Sequence, residues 1–269
     1  MRWIIGQYVP KHYWEERLKS NDGLLGVGYT RLGRRFNGWM YRIRRQVFLR
    51  EARRAGAANA ASVLDIGSGT GFYIDCWQEL GARQITGLDI TSVAVERLAQ
   101  RYPAHAFHEL NIAAPDAPAQ INAQFDAISL IDVIYHIVNE DDFHRALANI
   151  QALLKPGGVF IFCDFLLHAP PLREQAHVRQ RTLNEVQAAL DAAGLVIERR
   201  VPFFVLMNQP VDSRNPLLKL YWKGLSFTAS LHDLLGGALG ALLYPLESLL
   251  VAALRESPST ELIICRKRK

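Results

Sequence analysis

The sequence predicts an α/β fold: a doubly wound, mostly parallel seven-stranded sheet, with a helical N-terminal cap and a helical insertion before the last strand. Three observations predict it. From Ser62 onward, short apolar runs alternate with stretches of helical periodicity, the pattern of a parallel sheet covered on both faces. Residues 63–75 read VLDIGSGTGFYID, a strand running into three glycines and then a helix. A leucine-rich tract at 208–257 interrupts the alternation, and the apolar middle of STELIICRKRK then suggests a strand that joins the sheet.

The elements follow in order. Residues 10–20 read as a short helix, with Trp14 and Leu18 four apart and NDG as its stop. GLLGVGYTRLG is glycine-punctuated and reads as loop. Residues 35–54 form the first strong helix. Phe36, Trp39, Met40, Ile43 and Val47 make one face apolar, and arginines occupy much of the rest. SVLDIG is a strand and GFYIDCWQELG a helix; QITGLDI is a strand and SVAVERLAQRY a helix ended before Pro103. HAFHELNI is a weaker strand, and FDAISLIDVIYHI is a buried strand with the residues leaving it. DDFHRALANIQALL is a helix, KPGG a turn and VFIFCDF a strand. TLNEVQAALDAAG is a helix with Thr182 and Glu185 as a capping box, and LVIERRVPFFVLM begins a sixth strand. The chain thus divides into a cap at 1–55, a core at 56–207, an insertion at 208–257 and a last strand at 258–269.

Apolar residues make up 49 % of the 269, enough for a sizeable core, and the net charge of +5 is mild. Cys76, Cys163 and Cys265 form no CxxC pair, which suggests a reducing compartment and neither a metal site nor a disulfide framework. The opening MRWIIGQYVPKHYWEERL lacks the apolar core of a signal peptide, so a cytoplasmic location is expected.

The glycines mark the ligand site. In an alternating sheet, ligands bind beyond the carboxyl ends of the strands, where the strand order reverses. Dinucleotide sites want G-x-G-x-x-G, but the sixth place here holds Phe72. The pattern is D-x-G-x-G-x-G, with Asp65 two residues before Gly67. An acid there repels a pyrophosphate and suits a ligand carrying an ammonium and a sulfonium.

Over roughly residues 60–200 the chain resembles the class I S-adenosylmethionine-dependent methyltransferases of small-molecule type, and so their Rossmann-like fold. Asp65, Gly67, Gly69 and Gly71 match the family's first motif, with Ser68 and Phe72 in the same turn. Asp89, ending ITGLD, matches the acid that holds the ribose hydroxyls, and Ile90 follows it. Asn111, in HELNI with Ile112, stands where the family usually has Asp beside the adenine amino group. FDAISLIDVIYH and LLKPGGVFIF match the segments of the fourth and fifth strands. The resemblance implies S-adenosylmethionine as cofactor and demands no metal. It sets Asp132 toward the cofactor's methionine end. His136, with Tyr135 beside it, is the candidate base, since an imidazole suits proton abstraction near neutrality. His168, past the fifth strand, is the second candidate. HYWEERL resembles the family's opening helix, in which Tyr13 and Trp14 would close the site against water.

The acceptor has three readings. The first is a small molecule, methylated on oxygen, of specialised or glycan- or lipid-related metabolism. The second is a lipid-linked or very apolar acceptor at a membrane surface, which rests on 208–257 and the Arg-rich helix. A nucleic acid ranks last, because the charge excess is modest and neither an N-P-P-Y-type tetrad nor an RNA-binding motif is present. A non-catalytic cofactor-binding subunit is a further alternative. In the insertion, the longest uncharged run, Leu234 to Leu246, has 13 residues, short of the roughly 20 that span a bilayer. Gly236, Gly237, Gly240 and Pro245 interrupt it further. Two or three short helices over the mouth of the site are expected, with Leu217, Tyr221 and Trp222 lining an acceptor pocket. A dimer interface, extra core or a contact with a membrane surface are the alternatives.

Overall fold

The computed structural model describes residues 9–21, 23–171 and 176–268. Residues 1–8 of the expected cap, Asp22 of the NDG stop and Lys269 of the tail lie outside them. The chain opens with α1 (Pro10–Ser20), α2 (Leu24–Val27), a 3₁₀ turn at Thr30–Leu32 and α3 (Gly33–Arg54). The core runs β1 (Ser62–Ile66), α4 (Phe72–Glu79), β2 (Gln84–Asp89), α5 (Ser92–Arg101), β3 (Ala106–Glu109), α6 (Ala117–Ile121) and β4 (Phe125–Leu130). A 3₁₀ turn at Ile134–His136 leads to α7 (Glu140–Leu153), β5 (Leu154–Asp164), α8 (Leu183–Ala192) and β6 (Leu195–Pro202). Then come α9 (Pro216–Leu231), α10 (Asp233–Ala253) and β7 (Glu261–Lys267).

The seven strands form one sheet in the order β3-β2-β1-β4-β5-β7-β6. The first five pair in parallel, and β7 runs antiparallel to both β5 and β6. The central strands are apolar throughout because each face packs against helices. Val63, Ala127 and Ile161 point into the layer that includes α3 and α4, while Leu64, Ile128 and Phe160 point into the layer that includes α7 and α8. The strand order reverses at β1 and β4, and the carboxyl ends of these two strands open the crevice.

Several elements depart from the expectation. Residues 24–32, expected as loop, are a one-turn helix and a 3₁₀ turn that pack against α3. KPGG does not precede the fifth strand but bulges out of it: the register passes from Phe125↔Leu154 to Ala127↔Val159. The capping box of α8 is present as expected.

The insertion departs most. It forms two long helices, and α10 runs through Pro245 without a break. The lost hydrogen bond at Pro245 is tolerated because tertiary contacts hold the helix. α10 lies along α3, on the outer flank of the core. The two helices approach closely at Gly240, where an added Cβ would stand 2.5 Å from the Trp39 ring. Glu247 then fastens α10 to the chain leaving β6. Its buried carboxylate accepts hydrogen bonds from the backbone N–H of Val205 (2.7 Å), Leu206 (2.8 Å) and Met207 (3.3 Å). Burial raises the Glu247 pKa, and these three donors pull it back down.

Candidate active site

A cavity of about 340 Å³ lies beyond the carboxyl ends of β1, β2 and β4. The turn after β1 forms its floor. Gly67 has φ 73°, and a Cβ there would fall 2.2 Å from a methyl of Val133, so only glycine fits. The turn is tied to β2 by its own N–H groups. Those of Gly67 and Ser68 donate to the Leu88 carbonyl at 2.7 and 3.0 Å, and that of Gly69 donates to the Asp89 carboxylate at 2.9 Å. These donors are spent on the protein, unlike the free N–H groups that cradle a pyrophosphate.

Asp89 is buried and fixed from both sides. Its other oxygen accepts from the Thr91 backbone (2.9 Å) and hydroxyl (2.7 Å), and burial raises its pKa. Asn111 lines the cavity, its side-chain oxygen held by the Ala113 N–H at 3.0 Å. Asp65 is buried one residue behind Ile66, which lines the cavity. One of its oxygens accepts from the Ser129 hydroxyl at 2.5 Å, and the other has no partner. Desolvation pushes the Asp65 pKa up to about 7.

Asp132 follows β4 in a left-handed conformation, φ 60°. Arg44, reaching in from α3, pairs with its carboxylate, and the Tyr135 hydroxyl and Cys163 thiol donate to it at 3.0 and 3.1 Å. The Arg44 guanidinium is itself buried, about 5 Å from the Phe203 and Phe204 rings. Burial lowers the Arg44 pKa, but Asp132 together with Tyr73, Tyr41 and Cys163 more than reverses this and leaves it raised.

His136 ends the 3₁₀ turn and lines the cavity. Its Nδ1 lies 2.7 Å from the His177 carbonyl. A carbonyl only accepts, so Nδ1 carries the proton and Nε2 keeps its lone pair. Burial lowers the His136 pKa to about 4, so the ring is neutral at physiological pH. Trp14 of α1 meets the ring edge-on at 5.1 Å, and Pro10 and Leu18 extend this wall. Tyr41 and Tyr73 add aromatic surface, and burial raises both phenol pKa values, keeping them neutral.

The cavity therefore gathers Trp14, Gly67, Ser68, Gly69, Phe72, Asp89, Ile90, Asn111, Ile112, Asp132 and His136 from the expected site residues. The others stand apart. Asp65 and Tyr135 lie behind the lining. Gly71 caps the start of α4 with φ 84° and packs under Leu98 and Tyr102. Tyr13 turns from the cavity to stack on His177 at 5.8 Å. His168 is exposed and bonded to Asp212 at 2.5 Å on the surface, just beyond the buried Leu166 and Leu167. Leu217, Tyr221 and Trp222 do not line the cavity: α9 packs beside α3 and α10, and Leu217 is 73 % exposed. The insertion is thus not a lid over this mouth. Sequence reasoning missed Arg44, although its spacing from Met40 and Val47 puts it on the buried side of α3.

These residues fit S-adenosylmethionine. Asp89 offers acceptors for a diol, Asp132 sets a second carboxylate at the cavity wall, and aromatic walls suit a sulfonium.

Residues 37–205 match the family described as "Methyltransferase domain". The O-methyltransferase cnsE of Penicillium expansum is 26 % identical over 92 % of this chain and 81 % of its own length. The ubiquinone biosynthesis O-methyltransferase of Methylobacterium nodulans is 33 % identical, over 42 % of this chain and 44 % of its own length, so the chain spans less than half of that relative. Among solved structures, the N-methyltransferase NodS of Bradyrhizobium japonicum superposes with a TM-score of 0.57 over 96 % of this chain and 98 % of its own, at 15 % identity. The 1,6-didemethyltoxoflavin-N1-methyltransferase of Burkholderia thailandensis gives 0.55 over 99 % and 94 %, at 19 % identity. These likenesses support the fold, and the matched domain fixes the class. The chain belongs to the class I S-adenosylmethionine-dependent methyltransferase family.

Proposed function

We propose that the protein methylates an acidic hydroxyl, phenolic or enolic, on a small-molecule acceptor, with His136 as the general base. The observation that carries this is a neutral imidazole in the cavity whose Nδ1 is committed to a carbonyl, leaving Nε2 free to take a proton. The cofactor, when bound, supplies an electrophilic methyl group on sulfur. The chain's own residues do the rest. Asp89 grips the ribose hydroxyls, and Asn111 stands beside the adenine. Asp132, fixed by Arg44, faces the methionine end. Trp14, Tyr41 and Tyr73 exclude water. His136 takes the proton that the acceptor oxygen loses. Against a histidine pKa of about 4 the transfer is uphill even from a phenol-like group, whose pKa is about 10, and far more so from an alkanol, so it accompanies methyl transfer and favours the more acidic hydroxyl. The O-methyltransferase names of two relatives support oxygen as the methylated atom.

The test is to incubate the protein with methyl-labelled cofactor and a panel of phenols, enols, amines and thiols, then identify the product. Label on a phenolic or enolic oxygen is expected; label only on nitrogen, protein or nucleic acid overturns the reading. Asp89→Ala is expected to weaken cofactor binding roughly ten- to a hundredfold, the range for losing hydrogen bonds to a charged acceptor. Calorimetry reads this directly, and unchanged affinity counts against the ribose contact.

A further inference from the structure

We infer that the outer face of the α9–α10 hairpin is a membrane-binding surface that lies in the plane of an anionic bilayer, half immersed. The hairpin spends its inner side on the protein: Leu225 and Ala229 of α9, and Gly240, Glu247 and Val251 of α10, are buried. Its outer side is apolar and bare. Leu220, Phe227 and Leu231 recur along one face of α9. Leu235, Leu242 and Leu249 repeat every seven residues on α10, with Leu242 76 % and Leu249 68 % exposed. Single exposed leucines are ordinary, but two adjoining helical stripes of them form a contiguous patch that wants a cover.

The charges say what covers it. The hairpin carries four charged residues, Lys219, Lys223, Asp233 and Glu247. Glu247 is buried on backbone N–H groups, and Asp233 is engaged by Arg35. The two lysines remain exposed, one turn apart on the same flank of α9. Arg31 and Arg34, also exposed, extend the basic rim at the start of α3. An apolar face beside a basic rim matches an acyl layer beneath anionic headgroups. A second copy fits less well. In a two-fold contact the same surface meets itself, so the lysine flank would find no acidic complement on the hairpin.

Nor is α10 a span. Its 21 residues are long and apolar enough to cross a bilayer. Crossing would strip Gly240 from Trp39 and Glu247 from the three N–H groups it satisfies.

The experiment is flotation of the full chain with vesicles of phosphatidylcholine alone or with added phosphatidylglycerol. Binding to the anionic vesicles, weakened by salt, is expected. Phe227→Ser with Leu242→Ser and Leu249→Ser should lower the partition coefficient by roughly tenfold or more and leave cofactor affinity unchanged. Lys219→Gln and Lys223→Gln should each lower it about fivefold on the anionic vesicles. The lysine variants keep the test sharp if the triple substitution impairs folding. Wild-type protein that does not float with anionic vesicles overturns the inference. So does wild-type-level binding by the triple variant. A dimer that the triple substitution dissolves, together with no vesicle binding, assigns the face to a second copy instead.

Discussion

Arg44→Ala is expected to destabilise the protein by about 3–5 kcal/mol, the cost of breaking an ion pair whose arginine is buried and whose half-buried carboxylate is left without its cation. Arg44 is nearly inaccessible, and its guanidinium pairs with Asp132, a residue held in a left-handed conformation at the cavity wall. With the arginine gone, the Tyr135 hydroxyl and Cys163 thiol alone would face the charge. At a urea slope of roughly 1–3 kcal/mol per molar, the unfolding midpoint should fall by at least about 1 M. The double variant Arg44→Met with Asp132→Asn should recover much of this loss, because it removes both charges together. If the single and double variants unfold at the same urea concentration, the pair is not what holds the wall.

His136→Ala is expected to lower kcat by about 10²–10⁴, the usual contribution of a general base, with cofactor affinity nearly unchanged. The histidine sits in the cavity with its proton fixed on the far nitrogen, so its removal takes away a proton acceptor and little binding surface. The pH profile adds a second readout. Burial depresses the His136 pKa to about 4, so the base is unprotonated above that pH and protonated below it. The acid limb of kcat/KM for the wild type should therefore fall near pH 4 and not near 6.5. Near-normal turnover by His136→Ala, or a limb at 6.5, would show that the imidazole only packs against Trp14.

The parts legible in the sequence are those fixed by local patterns. The turn after β1 announces itself through Asp65 and the glycines, since only a positive φ and a close approach to Val133 explain them. The alternating core is legible because each central strand is buried on both faces. Asp89 is legible because a strand end and an acid coincide.

What stayed hidden depends on pairs of distant surfaces. The spacing of Arg44 puts it on the buried side of α3, but what it does there shows only with its partner Asp132, 88 positions later. The hairpin's helices are visible in their leucine spacing, but their seat on α3 comes from matching Gly240 to Trp39, which no periodicity records. His168 follows a strand end, as a site residue should, yet its ring pairs with Asp212 on the surface, a partner 44 positions away that no local pattern records.

The strand order also dictates how the chain assembles. β7 lies between β5 and β6, so β6 has no strand neighbour until the last element arrives. On a ribosome adding about 5–20 residues per second, the stretch from Pro202 to Glu261 takes roughly 3–12 seconds to emerge. α10 emerges late in that interval, still ahead of β7, and its Glu247 binds the backbone at Val205–Met207, immediately after β6. In the folded chain β5 and β6 stand about two strand spacings apart, or roughly 10 Å, and β7 occupies the slot between them. β7 enters as a keystone, bonded on both edges at once. The hairpin contact just after β6 and the pairing of the final strand thus close the same edge of the sheet.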